Sequence, residues 1–366
     1  FGLEPFTNAK AKQIAGMPDA LALDHPELFS AVDLAYRQQV YGQLKQAARV
    51  VTLSEHARER LLHHTELRLE QIAVVPLGAE PQKQLSVNTN ANEPPEPLPQ
   101  PSPVNEGGSQ TEYLLNYHPL PARYVFYPAN FWPHKRHDLL FRIMSRLWQE
   151  QPDSHLVMTG GRSEADRRGL QVLATRYGCP PERIHDLGYV DDAQLTLIYR
   201  KAEALVFVSQ YEGFGMPLLE AMQQGCPVIC APLAAIPEVV GEAGIIVNSE
   251  DAEDWVKAIL TVLPEQRDKL IAAGRERAAQ FTWAKTRDGW REVIAEAGLD
   301  CGGASVQSKN ESTEIAGHIQ PLLTQISQHA ASMGRSRWRQ MAGLPLVMLL
   351  QMRVLELARQ YRRTAG

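Results

Sequence analysis

The chain of 366 residues has few cysteines, little net charge and no long apolar run. Its four cysteines are too few and too scattered for a disulfide framework, which favours reduced thiols in a cytosolic setting. The formal net charge of -5 excludes a broadly basic surface for nucleic acid. No apolar run reaches the ~18 residues that a transmembrane helix needs. These absences leave a globular protein that we expect in the cytoplasm.

Three local patterns are missing as well, and they narrow the choice further. Cys226 and Cys230 stand close in sequence, but no His or Cys pair nearby completes a zinc site. No G-x-G-x-x-G follows a first strand, and no acid stands some 20 residues further on, which argues strongly against an NAD-dependent oxidoreductase. The chain opens with neither a signal-peptide pattern nor a methionine, a start typical of a fragment or a processed product.

Strand and helix patterns alternate from residue 123 onward, with short connections between them. Hydrophobic residues make up 44% of the chain, enough for a sizeable core. The predicted strands are 124–127, 155–159, 184–187, 204–208, 227–230 and 244–247. Repeated strand–helix units with continuous apolar strands predict an α/β domain, doubly wound and Rossmann-like, with helices on both faces of a parallel sheet. Ligands in such domains bind beyond the carboxyl ends of the strands.

The whole chain divides into four predicted regions. Residues 1–81 predict a smaller, partial domain with elements at 31–48, 49–53, 55–64 and 72–75. Residues 82–121 are dense in Pro, Asn, Glu and Ser, and this composition predicts a disordered linker. Residues 122–298 hold the Rossmann-like domain and a return helix that ends near 297, and residues 299–366 form a tail.

Residues 209–220 carry the densest chemistry of the sequence. A strand ends just before them, and Gly213 and Gly215 permit close approach of the backbone to a ligand. Pro217 fits the first turn of a following helix, where its missing N–H costs nothing. The helix N-terminus would then hold an anion, most naturally a diphosphate, with backbone donors and without a metal ion.

Two glutamates flank this loop, and their spacing makes the signal more specific. Glu220, one turn into the helix, is placed to accept hydrogen bonds from a ribose diol. Glu212, in the loop, is placed to accept them from the hydroxyls of a transferred sugar. The plainer alternative makes Glu212 a solvated loop charge and Glu220 a partner of the helix dipole.

This segment resembles the E-x7-E motif of the family 4 (group 1) retaining glycosyltransferases. The resemblance covers residues 124–297 nearly continuously and includes the segments 133–135, 156–161, 187–190, 225–229 and 237–241. It implies the GT-B fold, in which two Rossmann-like domains face each other. The chain would supply the donor domain in full and the N-terminal, acceptor-side domain in part.

The resemblance implies that Lys135 contacts the diphosphate of the donor and assists catalysis. An ammonium group can neutralise the charge that develops on this leaving group. Asn130 occupies the position where the family often has an arginine. Charge stabilisation would then depend more on Lys135, His134 or Arg136. The alternative for Lys135 is an ordinary surface lysine.

Other donor-binding positions follow from the same resemblance. Gly188, Tyr189 and Val190 match the turn that holds the nucleobase, although an ordinary strand-to-helix loop has the same pattern. Gly160 and Gly161 match glycines after the second strand, where a simple turn is an alternative. The implied sugar and phosphate contacts are Ser209, Glu212, Gly213, Phe214, Gly215, Met216 and Pro217, with Glu220 on the ribose.

The N-terminal region fits the family less completely. Residues 24–29 resemble an acceptor-domain stretch that contains a His followed by Pro-Glu-Phe-Phe, and residues 48–57 are similar to its last strand–helix unit. His25 is therefore the candidate for the acceptor-side catalytic histidine, with a loop histidine as the alternative. A whole acceptor domain needs about 150 residues, and only about 80 precede the linker.

The implied reaction transfers a sugar from a nucleoside-diphosphate sugar to a glycan or a lipid-linked acceptor, with retention. No Asp-x-Asp stands at a strand end, so we expect no essential metal ion and no cofactor beyond the donor substrate. Asp191 and Asp192 are better explained as a helix cap. Two alternatives stay open: a non-catalytic sugar-nucleotide-binding fragment, or half-enzyme completed by another chain, and a nucleotide-sugar epimerase.

The tail contains a basic segment with two interpretations. Residues 335–363 combine seven arginines with the apolar run 344–350. Such a segment can lie on an anionic membrane surface at the inner membrane face, near a lipid-linked acceptor. It is equally compatible with a helix that packs on the protein or on a partner.

Overall fold

The computed structural model of the protein describes residues 13–79 and 120–298. It contains two sheets, and every strand pairing within them is parallel. Residues 82–119 of the predicted linker and the whole predicted tail, 299–366, lie outside the described residues, so the predicted domain boundaries stay predictions. Within the described ranges, no helix is both long and apolar enough to cross a bilayer.

The N-terminal sheet has three strands in the order β1-β2-β3. They are β1 (Ile14–Gly16), β2 (Arg49–Thr52) and β3 (Ile72–Val74). The helices beside them are α1 (Leu21–Asp24), α2 (Ala31–Gln43) and α3 (Glu55–His64). Ser54 caps α3 as predicted, since its side chain accepts a hydrogen bond from the Ala57 N–H at 3.1 Å.

The larger sheet has six strands in the order β6-β5-β4-β7-β8-β9. They are β4 (Tyr124–Pro128), β5 (His155–Thr159), β6 (Ile184–Asp186), β7 (Ala204–Phe207), β8 (Val228–Cys230) and β9 (Ile245–Ile246). Strands β4 and β7 are buried along their whole length because helices cover both faces of the sheet. This is the doubly wound, Rossmann-like arrangement that the sequence predicts.

Helices α4 to α11 belong to this second region. They are α4 (His137–Glu150), α5 (Glu164–Arg176), α6 (Asp192–Lys201), α7 (Met216–Gln223), α8 (Ile236–Val240), α9 (Ala252–Lys257), α10 (Leu263–Ala279) and α11 (Trp283–Glu296). Asp191 caps α6 in a reciprocal pair with Gln194, at 2.8 and 3.0 Å. The interpretation of the Asp191–Asp192 pair as a helix cap is therefore confirmed.

The return helix α11 ties the two regions together. The hydroxyl of Thr286 donates a hydrogen bond to the carbonyl of Pro76 at 2.8 Å. Val293 packs with Val51 and Val75 in a small buried cluster that joins α11 to the N-terminal sheet. The two regions consequently share a hydrophobic contact as well as hydrogen bonds.

The structure corrects three element boundaries. The apolar and polar pattern of residues 252–262 predicts a helix that ends at 262, but this helix continues through a π-helical turn, Ala258–Val262, into α10, which was not predicted. Its Pro264 stands in the first turn, where a missing N–H is tolerated. The helix predicted at 31–48 ends at Gln43, and a 3-10 turn, Leu44–Gln46, follows it. Strand β1 was not predicted, because three residues are too few for a periodic signal.

Candidate active site

The site lies where the strand order of the larger sheet reverses direction. Strands β5 and β6 extend on one side of β4, whereas β7, β8 and β9 extend on the other. The loops that follow β4 and β7 therefore leave the same edge of the sheet side by side. In open α/β sheets this switch point is where ligands bind.

The loop after β4 is held in place by backbone and side-chain hydrogen bonds. A 3-10 turn, Pro133–Lys135, follows Trp132, whose carbonyl accepts the N–H of Lys135 at 2.9 Å. The hydroxyl of the buried Tyr127 donates to the carbonyl of Lys135. The carbonyl of His134 accepts the N–H of Gln210 at 2.7 Å, which joins this loop to the loop after β7. Lys135 is thus presented by a rigid turn.

Lys135 and Glu212 form an ion pair at the centre of the site. The Lys135 Nζ lies 2.6 Å from the Glu212 Oε1, and the two side chains are 14% and 11% exposed. A pair this shielded from water interacts more strongly than a surface salt bridge. The sequence predicted a role for each residue, and the structure brings the two side chains together.

The start of α7 forms one wall beside this pair. Gly215 precedes the helix with a φ of 97°, which is the left-handed region that favours glycine. Met216 and Pro217 form its first turn, and no side chain caps this helix N-terminus. The backbone N–H groups of the first turn and the helix dipole thus point toward the loop that carries Glu212.

Glu220 lies further along α7 and is oriented by a tyrosine that the sequence reading missed. The hydroxyl of Tyr199, on α6, donates a hydrogen bond to the Glu220 Oε2 at 3.0 Å. The Tyr199 ring is buried and packs edge-on against Phe126 at 5.0 Å. Glu220 is half-buried, so its carboxylate is fixed in direction and still reaches the surface.

The remaining predicted residues of the loop after β7 support its shape. Ser209 is fully buried, and its hydroxyl donates to the carbonyls of Tyr211 and His134 at 3.2 and 3.4 Å. Phe214 is buried against Phe281, with ring centroids 5.7 Å apart. These two side chains anchor the loop and leave contact with a ligand to its backbone.

The loops after β5 and β6 form the opposite wall. The N–H of Gly160 donates to the carbonyl of Gly188 at 2.7 Å, and the N–H of Gly161 donates to the Asn130 Oδ1 at 2.9 Å. Asn130 is therefore a tie between loops. Tyr189 is 39% exposed and Val190 is buried, so the turn presents one aromatic ring to solvent.

A buried arginine, Arg162, is a second feature that the sequence reading missed. Its side chain has no exposed surface, and its Nε lies 3.7 Å from the Asp186 Oδ1. Burial lowers the pKa of this guanidinium group. Arg162 brings a positive charge to the edge of the sheet where Asn130 has none, although its burial keeps it out of direct contact with solvent.

Among His134, Lys135 and Arg136 in the loop after β4, Lys135 is the charged group that faces the site. Burial, with the nearby Lys135 and His25, lowers the pKa of His134 to about 3, so this imidazole is neutral near pH 7. Arg136 is occupied by Glu250, with nitrogen–oxygen distances of 3.0 and 2.5 Å. Of the three cations that the sequence offered, Lys135 alone faces Glu212.

His25 lies at the margin of the site. Its Nδ1 is 3.0 Å from the Glu27 Oε1, and its ring meets the Tyr211 ring edge-on at 5.6 Å. The hydroxyl of Tyr211 donates to Asp24 at 2.8 Å, which links the loop after β7 to the N-terminal region. His25 thus reaches the loop of Glu212 through Tyr211, and its predicted catalytic role stays a prediction.

An acid of the larger region, Glu238, caps helix α3 of the N-terminal region. The two Glu238 oxygens accept the N–H groups of Glu55 and His56 at 2.7 and 2.6 Å. A cleft of about 400 Å³ lies between the two regions next to this contact. The contact holds the N-terminal region against the loop edge of the larger sheet, where Asp19 and Pro18 approach Gly213.

Within residues 13–79 and 120–298, no group of three or more His, Cys, Asp or Glu side chains is arranged to hold a metal ion. Lys135 and the backbone N–H groups at the start of α7 supply positive charge at the site.

Comparison with known proteins identifies the larger region. Residues 117–277 match the family model of the glycosyl transferases group 1. This part of the chain belongs to the group 1 glycosyltransferases. The O-antigen chain mannosyltransferase B of Escherichia coli is 39% identical over 132 residues, which cover 35% of the chain and 34% of that enzyme.

A second relative matches a longer stretch of the chain. The D-inositol 3-phosphate glycosyltransferase of Mycolicibacterium smegmatis is 32% identical over 175 residues, 46% of the chain and 39% of that enzyme. Among these group 1 relatives the chain spans between about a third and about half of their lengths.

Solved structures show the fold of the chain. Sucrose-phosphate synthase from Thermosynechococcus elongatus matches with a TM-score of 0.59 at 23% identity, over 77% of the chain and 68% of that structure. Anabaena HepE, solved with UDP and glucose, matches with a TM-score of 0.58 at 17% identity, over 78% of the chain and 72% of that structure. The predicted GT-B type α/β fold is confirmed.

Proposed function

We propose that the chain transfers a sugar from a nucleoside-diphosphate sugar to a glycan or a lipid-linked acceptor, with retention and without a metal ion. The observation that carries this proposal is the shielded Lys135–Glu212 pair beside the start of α7. Membership of residues 117–277 in the group 1 glycosyltransferases supports the reaction class. The HepE complex with UDP and glucose supports the class of donor.

The charges of the site indicate where each part of such a donor binds. The diphosphate is negative, so it binds at Lys135 and at the N–H groups of the first turn of α7. The sugar is uncharged and rich in hydroxyl groups, so it binds where Glu212 can accept hydrogen bonds. Glu220 accepts hydrogen bonds from the ribose diol, and Tyr189 provides an exposed aromatic ring for the base.

Retention follows if both bonds to the anomeric carbon lie on the same face. The bond from this carbon to the phosphate oxygen breaks, and a bond to the acceptor oxygen forms. The proton of the acceptor hydroxyl moves to the leaving diphosphate. Lys135 and the helix N-terminus stabilise the charge on the diphosphate during this step, which replaces the role that a metal ion has in other transferases.

Two alternatives have specific tests. The chain spans only part of its curated relatives, so it can also act as a sugar-nucleotide-binding half that another chain completes. Donor binding without turnover by the purified chain, and turnover after a partner is added, would favour this alternative. A nucleotide-sugar epimerase would convert the donor in the absence of any acceptor.

The proposal is tested by a donor screen followed by product analysis. We expect UDP-, GDP- or ADP-sugars of one kind to raise the melting temperature of the chain. With an acceptor present, NMR of the product should show the anomeric configuration of the donor, and EDTA should leave the rate unchanged. Inverted product, or loss of activity in EDTA that added Mg²⁺ restores, would contradict the proposed mechanism.

We also propose a cytoplasmic location at the inner membrane face. The support for it is the sequence of the basic segment 335–363, which lies outside the described residues. Flotation of the chain on vesicles with anionic lipid should require this segment. Equal flotation of the chain with and without it would end this part of the proposal.

A further inference from the structure

A short segment of the N-terminal region lies directly on the loop of Glu212. Pro18 and Asp19 connect β1 to α1 and pass over Gly213. A Cβ atom added at Gly213 would lie 2.7 Å from the carbonyl oxygen of Pro18 and 3.0 Å from the Cβ of Asp19. The absence of a side chain at Gly213 therefore lets Asp19 lie against the loop that carries Glu212.

The charges of Lys135 and Glu212 both influence the pKa of the Asp19 carboxyl group. Burial is the largest influence and raises the pKa of its carboxyl group, and the negative charge of Glu212 acts in the same direction. Lys135 and Arg37 act in the opposite direction. Asp19, Glu212 and Lys135 therefore form one group of interacting charges, to which the N-terminal region contributes one acid.

The hydrogen bonds of Asp19 use only one side of its carboxylate. The Oδ1 accepts the N–H of Leu21 at 2.9 Å, which orients the start of α1. Its Oδ2 accepts no hydrogen bond from the residues that the structure describes, 13–79 and 120–298. A partly buried carboxylate oxygen is stabilised by a hydrogen-bond donor, and a ligand with hydroxyl groups supplies one.

The sign of the charge decides which part of the donor can lie beside Asp19. A carboxylate repels a diphosphate but accepts hydrogen bonds from the hydroxyl groups of a sugar. We propose that Asp19 accepts a hydrogen bond from a hydroxyl group of the transferred sugar, beside Glu212, and so contributes to sugar specificity. This proposal depends on the proposed function, because it assigns a residue to the sugar half of the donor.

The test separates the sugar from the nucleotide. Calorimetric titrations compare GDP-mannose with GDP, UDP-glucose with UDP, and ADP-glucose with ADP, on the wild type and on Asp19→Asn. The asparagine keeps an oxygen that can accept the Leu21 N–H and removes the charge. For the pair that the wild type binds, we expect Asp19→Asn to raise the Kd of the sugar nucleotide about 10-fold. The Kd of the corresponding diphosphate should stay within about 2-fold of the wild-type value.

Two further variants control for folding and for charge. Asp19→Ser keeps a short cap for the Leu21 N–H and should lose the sugar preference as Asp19→Asn does. Asp33→Asn removes an exposed acid on α2 and should change neither affinity. Equal weakening of sugar nucleotide and diphosphate, or an unchanged ratio of the two, would overturn the role of Asp19. A wild type that binds none of the six ligands would overturn the proposed function itself.

Discussion

Lys135 and Glu212 meet across the switch point of the sheet, with 2.6 Å between the Nζ and the Oε1. They come from the loops after β4 and β7, whose strands are neighbours in the sheet although 77 positions separate the two residues in sequence. Glu212 fixes the position of the Lys135 ammonium group. A bound diphosphate would share the ammonium group with Glu212, so binding would need little reorganisation of the loops.

Removal of one partner of this pair should destabilise the protein. In Lys135→Met the Glu212 carboxylate, which is 11% exposed, loses its counter-ion. We expect a loss of about 1–3 kcal/mol in the free energy of unfolding, measured by urea denaturation. The double variant Lys135→Met/Glu212→Gln should recover most of it. Arg146→Met, which removes a half-buried arginine from ion pairs with the exposed Glu150 and Glu253, should cost far less.

Tyr199→Phe should weaken nucleoside diphosphate binding through Glu220. The substitution removes the hydroxyl that donates to the Glu220 Oε2 and keeps the buried ring. We expect the Kd for the diphosphate to rise about 3- to 10-fold in calorimetry. Tyr124→Phe is the matched control, because that buried hydroxyl donates to the carbonyl of Ile198 on the same helix. Equal effects of the two variants would mean that Tyr199 acts only through packing.

Gly213→Ala should disturb the contact between the N-terminal segment and the loop. The new Cβ would lie 2.7 Å from the Pro18 carbonyl, so the segment must move away from the site. We expect a loss of about 1–3 kcal/mol in stability together with weaker sugar-nucleotide binding. Gly42→Ala meets nothing within 4 Å and should stabilise α2 by about 0.5 kcal/mol. A Gly213→Ala protein as stable as the wild type would contradict the close packing.

Stability should fall as the pH drops below about 6.5, because two buried histidines stay neutral in the folded state. Burial and nearby cations lower the pKa of His134 and of His137 to about 3. Between pH 6.5 and 3 the unfolded chain binds protons that the folded chain does not, so unfolding is favoured by up to about 1.4 kcal/mol per pH unit for each residue.

His137→Phe should reduce that pH dependence. Neither ring nitrogen of His137 has a hydrogen-bond partner among the described residues, and the ring packs against Tyr127 and Phe131. The variant should therefore keep its packing and show a shallower loss of stability in urea denaturation between pH 6 and 4. Parallel pH profiles of the variant and the wild type would contradict the assignment.

Local sequence patterns were enough to predict most strands of the larger sheet. The strand at 155–159 and the helix after Ser54 agree with the structure because each has an apolar run or a cap that acts within a few residues. The motif from Glu212 to Glu220 was predictable for the same reason, since its glycines, proline and acids are adjacent in sequence.

The contacts that complete the site depend on the fold and have no local signal. Tyr199 contacts Glu220 from another helix, and Asp19 contacts Gly213 from the connection between β1 and α1. Burial, which makes His134 neutral, also depends on packing that a single segment cannot reveal. His25 was selected from its neighbours in sequence, whereas Asp19, which the structure places against Gly213, has no local signal.

The most direct test of the account is calorimetric titration of UDP, GDP and ADP into the wild type, Lys135→Met, Glu220→Ala and Lys45→Ala. Lys45 is an exposed lysine paired with Glu66, away from the site, and serves as the control. We predict that the wild type and Lys45→Ala bind one diphosphate with equal Kd, and that Lys135→Met and Glu220→Ala bind it at least about 10-fold more weakly. No binding by the wild type, or the same Kd for all four proteins, would contradict the account.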